Sequence, residues 1–174
     1  MVSYLNRRTI LKLAFLSLSL FTIFGCAKTP QKLQNSASKT IFFSTKDFRF
    51  YDLGFIKTYP NSTALEIFNV GTLLLQMECF KDKICLNQTC YAKDSFMRRI
   101  FGEDTFKDLD LRAVLLGDEI LLGANKQTNS NGFTQNIRRG NSTLHYQVST
   151  DSITLHIHNT QSKTKFALEI NAIP

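Results

Sequence analysis

Leu65-Glu-Ile-Phe-Asn-Val-Gly-Thr-Leu-Leu-Leu-Gln-Met-Glu-Cys79 sets two apolar alternations on either side of a breaker. Leu65 and Ile67 precede Asn69-Val70-Gly71, and Leu73, Leu75, Met77 and Cys79 follow it, with Glu66, Gln76 and Glu78 in the intervening positions. Side chains of a strand point alternately to its two faces, so this spacing predicts neighbouring strands that share one apolar face. Upstream, Phe48 and Phe50 alternate with Asp47 and Arg49, and Tyr59-Pro60-Asn61-Ser62 separates that strand from the next. The region therefore reads as an antiparallel meander with one face turned to a core.

Downstream the period becomes helical. Over 92–101, Phe96, Met97, Ile100 and Phe101 share a face opposite Lys93, Asp94, Arg98 and Arg99, with Gly102 as the expected stop. A second helix is expected over 108–116, with Leu111, Val114 and Leu115 facing inward and Gly117 ending it. After a polar loop at 124–132, four more strands are expected at 133–139, 142–148, 153–158 and 164–170. Strands, two amphipathic helices and strands again predict an α+β domain, a curved antiparallel sheet covered by two or three helices.

The amino terminus reads as an export address. Arg7, Arg8 and Lys12 lead into the apolar run from Leu13 to Phe24, which is short for a bilayer span of about 20 apolar residues. The run ends in Ile23-Phe24-Gly25-Cys26, which resembles a lipobox: an aliphatic residue, a small residue and a thiol as lipid acceptor, with Phe24 bulkier than is usual. Residues 1–25 are expected to be a signal peptide and Cys26 the lipidation site. Asn6-Arg7-Arg8-Thr9-Ile10-Leu11-Lys12 also resembles a twin-arginine signal, but the strongly apolar run favours export of the unfolded chain. Ala27 in place of aspartate points to the outer membrane, facing the periplasm. Polar, aperiodic residues 26–39 form the expected tether, and residues 40–174 the single domain. Cleavage leaves 18 basic and 14 acidic residues, a net +4, which suits anionic head groups or an acidic partner better than nucleic acid.

Three further cysteines in an oxidising compartment predict one disulfide and one free thiol. Setting Met77 opposite Leu86 and Cys79 opposite Ile84, across a turn at Lys81-Asp82, keeps every apolar side chain on one face. Cys79 then points inward and Cys85 outward, so the expected disulfide is Cys85–Cys90. A three-thiolate metal site is the sharper alternative, though structural zinc takes four ligands and no histidine lies nearby in sequence. Alternation also puts His145, His156 and His158 on one polar strand face, with His145 opposite His156. A metal ion could sit there, but a solvated outer face is the plainer reading, since no carboxylate or cysteine completes the set. No phosphate loop, nucleophile elbow or His-Glu-x-x-His helix occurs, so no residue set argues for an enzyme and no cofactor is expected.

Leu65-Glu-Ile-Phe-Asn-Val-Gly-Thr-Leu-Leu-Leu75, Leu109-Asp-Leu-Arg-Ala-Val-Leu-Leu-Gly117, and the stretches Tyr146-Gln-Val, Ile153-Thr-Leu-His-Ile-His and Lys165-Phe-Ala-Leu-Glu-Ile170 occur in that order. Through them residues 40–172 resemble the LolB family, outer-membrane receptors that take lipoproteins from the soluble carrier LolA and insert them. The chain departs from the family where Asn69-Val70-Gly71 replaces Pro-Leu-Gly and where a tryptophan of the last strand is missing. The resemblance implies an incomplete antiparallel barrel with a helical lid, LolA/LolB-like, around an apolar acyl cavity. Leu73, Leu75, Met77, Phe96, Ile100, Leu111, Val114, Leu115, Tyr146 and Ile157 are expected to line that cavity, unless they simply fill a core. Val70 matches the family's protruding loop leucine, which is implied to enter the bilayer. The implied partners are acylated lipoproteins and a LolA-type carrier, met as a monomer. A scaffold of an outer-membrane complex would instead have a packed interior and an exposed apolar patch; a small apolar-ligand binder is a third reading.

Overall fold

The computed structural model describes residues 31–101, 104–163 and 165–173; the signal region, Cys26 and Gly102 lie outside the described residues. Eleven antiparallel strands form one curved sheet that does not close. Strands β1 (Asn35–Ser44), β2 (Arg49–Thr58), β3 (Thr63–Asn69), β4 (Thr72–Cys79), β5 (Lys83–Leu86) and β6 (Thr89–Ala92) make a meander. Strands β7 (Lys126–Asn129), β8 (Gly132–Arg139), β9 (Ser142–Ser149), β10 (Ser152–Asn159) and β11 (Lys165–Asn171) make another. The two meanders join where β1 pairs with β11, Ile41 opposite Ile170 and Phe43 opposite Leu168. That leaves β6 and β7 as the two free edges. The chain passes from one edge to the other through α1 (Lys93–Phe101) and α2 (Leu111–Leu116), with single 3-10 turns at Asp104–Phe106 and Leu121–Gly123.

One buried cluster holds the inward side chains of both meanders together with Phe96, Met97, Ile100 and Phe101 of α1 and Leu111, Val114 and Leu115 of α2. The helices thus cover one face of the sheet, and their apolar stripes meet its apolar side. Aromatic rings knit α1 to the seam between the meanders: Phe101 is edge-on to Phe166 at 5.0 Å, and Phe166 is edge-on to Phe43 at 5.5 Å.

The structure corrects the sequence reading in four places. β1 starts at Asn35, five residues inside the expected tether, because Asn35–Lys39 pair with β2 although most of their side chains are exposed and carry no alternation. Lys126–Asn129, expected as loop, form the edge strand β7 by pairing with β8, all four residues being exposed. The second helix begins at Leu111 rather than 108, because the Asp110 side chain caps it by accepting from the Arg112 amide at 2.9 Å. The fourth correction concerns Leu73. Ile67 pairs with Leu75 but Phe68 pairs with Leu73, so Leu74 is a bulge residue and Leu73 is turned to the outer face, 44 % exposed.

Candidate functional site

The residues expected to line a cavity come together, Leu73 excepted. Leu75, Met77, Phe96, Ile100, Leu111, Val114, Leu115, Tyr146 and Ile157 are all buried in the single cluster between sheet and helices, packed on one another. The covering segment is tied to the second meander at three points. Tyr146, fully buried, donates its hydroxyl to the Asp118 carbonyl at 2.9 Å. Burial, helped by the Asp118 charge, pushes that phenol's pKa up and keeps it a donor. The Gln135 side chain accepts from the Ile120 amide at 2.9 Å and donates to the carbonyls of Ile120 and Ala124 at 3.0 and 2.8 Å. Arg139 grips the Asp108 carboxylate with two nitrogens, donates to the Thr105 carbonyl at 3.0 Å and stacks over Phe106.

Toward the first meander the cover is less well satisfied. α2 packs on β3, and there Thr63 Oγ1 and Arg112 Nε are buried with no hydrogen-bond partner. Cys79, opposite Thr63 in the register, is the free thiol: buried, with its pKa raised first by desolvation and then by the charges of Asp110 and Glu78. Cys85 and Cys90 face each other across β5 and β6 and are disulfide-bonded.

Val70 occupies the tip of the β3–β4 hairpin. Two-residue hairpins favour turns with positive φ at both central positions, and here Val70 has φ 47° and Gly71 φ 78°. Glycine meets that demand freely, whereas a β-branched residue in the left-handed region is an outlier. Val70 is nonetheless 97 % exposed. Leu122, in the turn that leads into edge strand β7, likewise combines a positive φ of 57° with a fully exposed side chain.

Sequence reasoning passed over the outer face of β1–β4. β2 is apolar on both sides, and its outward residues Tyr51, Leu53 and Phe55 are exposed, Leu53 by 55 %. With Phe68, Val70 and Ile173, the latter two of these residues border a shallow groove of about 440 Å³. The signal was present in Tyr51-Asp-Leu-Gly-Phe55, whose second alternation runs out of phase with Phe48 and Phe50.

On the outer face of β8–β10, His145 lies opposite His156 and both border a second groove with His158 and Arg138. The His145 ring meets Asn136 at 2.6 Å and the His156 ring meets Glu169 at 3.0 Å, so each histidine is drawn toward a different strand. Among the described residues no three histidine, cysteine or carboxylate side chains are placed to hold a metal ion, and no helix is long and apolar enough to cross a membrane. No protein-family model matches the chain, and no curated protein matches it.

Proposed function

We propose that this chain is a lipid-anchored outer-membrane receptor that accepts acylated proteins from a soluble LolA-type carrier and passes them to the membrane, with the interior between sheet and helices as its acyl site. The observation that carries the proposal is the open seam: an antiparallel sheet left unclosed between β6 and β7, bridged by short helices whose inner faces are wholly apolar. Shielding an acyl chain from water is worth about 0.8 kcal/mol per methylene, so an interior of this kind has a strong ligand if its cover can lift. On this reading the α2–β3 contact, where Thr63 Oγ1 and Arg112 Nε have no hydrogen-bond partner, is the side that opens, and the side held by Tyr146, Gln135 and Arg139 is the hinge. Handover then runs downhill without nucleotide when acceptor and bilayer bind successively better. Val70 is the residue proposed to enter the bilayer.

The test uses a labelled lipoprotein bound to a LolA-type carrier. Transfer to the wild-type protein without ATP is expected, and Leu115→Asp, under α2, should weaken transfer more than it lowers the melting temperature. Loss of folding in step with loss of transfer would contradict the acyl site.

One observation favours a second reading. The interior is packed in this structure and an apolar patch lies on the outer face, the pair of features expected of a scaffold for an outer-membrane complex. On that reading Leu115→Asp costs several kcal/mol of stability and wild-type protein accepts no lipoprotein.

A further inference from the structure

The outer face of β1–β4 carries side chains that a water-facing sheet does not need. Outward positions of an antiparallel sheet are ordinarily polar, yet Tyr51, Leu53, Phe55, Phe68 and Leu73 occupy them here. Phe55 and Phe68 meet edge-on at 5.7 Å across β2 and β3, so the face is organised and not a scatter of single residues. One ion pair within it is already made. Lys57 sits 2.7 Å from Glu66, itself only 5 % exposed, with its ammonium 5.9 Å from the Phe55 ring. Arg49, in phase with Tyr51, Leu53 and Phe55, lies over the Phe42 ring at 4.9 Å. The face therefore has a largely apolar surface, and its one exposed cation suits an anionic head group.

What covers it follows from where the chain enters. Val70 leaves the sheet at one end of these strands; Asn35 enters at the other, where Gln34 pairs with Thr58. The nine residues from Cys26 to Asn35 span at most about 30 Å. From Asn35 to Ile41, the position level with Asp52 at the hairpin end, is six strand residues, about 20 Å. A domain standing upright on Val70 would thus spend most of the tether's reach. Laid on its outer face, the domain brings Val70 and the tether to one surface together.

We propose that the outer face of β1–β4, from Val70 to Ile173, docks on a phospholipid bilayer with its strands lying along the surface; this rests on the lipid-anchor reading and extends it. Tyr51, 70 % exposed at the border of the face, puts an apolar ring and a polar tip where acyl chains give way to head groups. The docking leaves β6, β7 and the helical cover free to meet a carrier in solution.

The experiment takes the mature chain with Cys26→Ser, so that no lipid contributes, and vesicles of phosphatidylethanolamine and phosphatidylglycerol. A polarity-sensitive dye is attached in turn at Leu53→Cys, Val70→Cys and Gln147→Cys, the last on the outer face of β9; buried Cys79 does not compete for label. Binding should shift the dye at 53 and 70 into an apolar environment and leave 147 in water. Leu53→Gln with Phe55→Gln should reduce vesicle partition at least tenfold, because two apolar side chains are withdrawn from the bilayer. The same double variant should still accept lipoprotein from a carrier in the absence of vesicles, which reads the receptor function separately. The inference is overturned if position 53 stays wet while 70 is buried, if wild type does not bind vesicles, or if sedimentation shows a dimer that buries position 53 against a second copy.

Discussion

Val70 stores strain that a turn residue chosen for stability would not. Its left-handed φ suits asparagine or glycine, so Val70→Asn, which makes the turn Asn-Gly, should raise stability by about 1 kcal/mol in denaturant unfolding. The same change should lower vesicle binding, because it removes the most exposed aliphatic side chain of the hairpin. A gain in stability with unchanged membrane binding would mean that Val70 is incidental. Asp108 supplies a pH test. Hydrogen bonds from Arg139 hold its carboxyl below the usual carboxylate range, opposed by partial burial. The stabilisation is therefore present above the unfolded pKa of about 3.9 and is lost as pH falls through the lower folded value. Both partners are partly exposed, so the pair is worth about 0.5 kcal/mol after screening, and Asp108→Asn should flatten the acid limb of the unfolding profile by that amount. The place of Val70 at a hairpin tip was legible from the breaker Asn69-Val70-Gly71 alone. Tyr146, Gln135 and Arg139 were not legible as clips of the cover, because their partners, backbone carbonyls and amides and the Asp108 carboxylate, lie among residues 105–124, distant in sequence.

α2 has six residues and depends on its ends. Asp110 satisfies an otherwise unpaired amide at its start, and Gly117, φ 75°, accepts the left-handed conformation that lets its amide return to Ala113 and Val114. Asp110→Ala should cost about 1 kcal/mol in thermal or denaturant unfolding. Because the contact of α2 with β3 holds the unpartnered Arg112 Nε and Thr63 Oγ1, that variant should also speed exchange of the α2 amides ahead of those in β9 and β10. Uniform acceleration across the domain would argue that the cover does not open by itself. Most elements were written in the sequence as periods: the pairings Cys79 with Ile84 and Met77 with Leu86 follow from keeping apolar residues on one face, and the structure has them. β7 and the start of β1 were not, since exposed strands have no face to encode. The turn of Leu73 to the outside was hidden by the Leu-Leu-Leu run, in which a bulge shifts the phase without altering a single residue type.

At the level of the molecule, two meanders joined through β1 and β11 make a sheet whose free edges are bridged by the only chain segment that is helical among the described residues. The curved sheet with its helical cover was legible because the change of period from two to 3.6 and back marks where the chain leaves the sheet and returns. Whether the interior is hollow was not legible, because a filled core and a lined cavity require the same apolar positions. The deciding measurement is transfer of a labelled lipoprotein from a LolA-type carrier to wild-type protein, without nucleotide and without vesicles, on a sample that melts cooperatively. An acyl site beneath the helical cover predicts that label moves to this protein in proportion to its concentration and approaches one lipoprotein per molecule. Cooperatively folded protein that takes up no lipoprotein at any ratio would contradict the receptor and leave the scaffold.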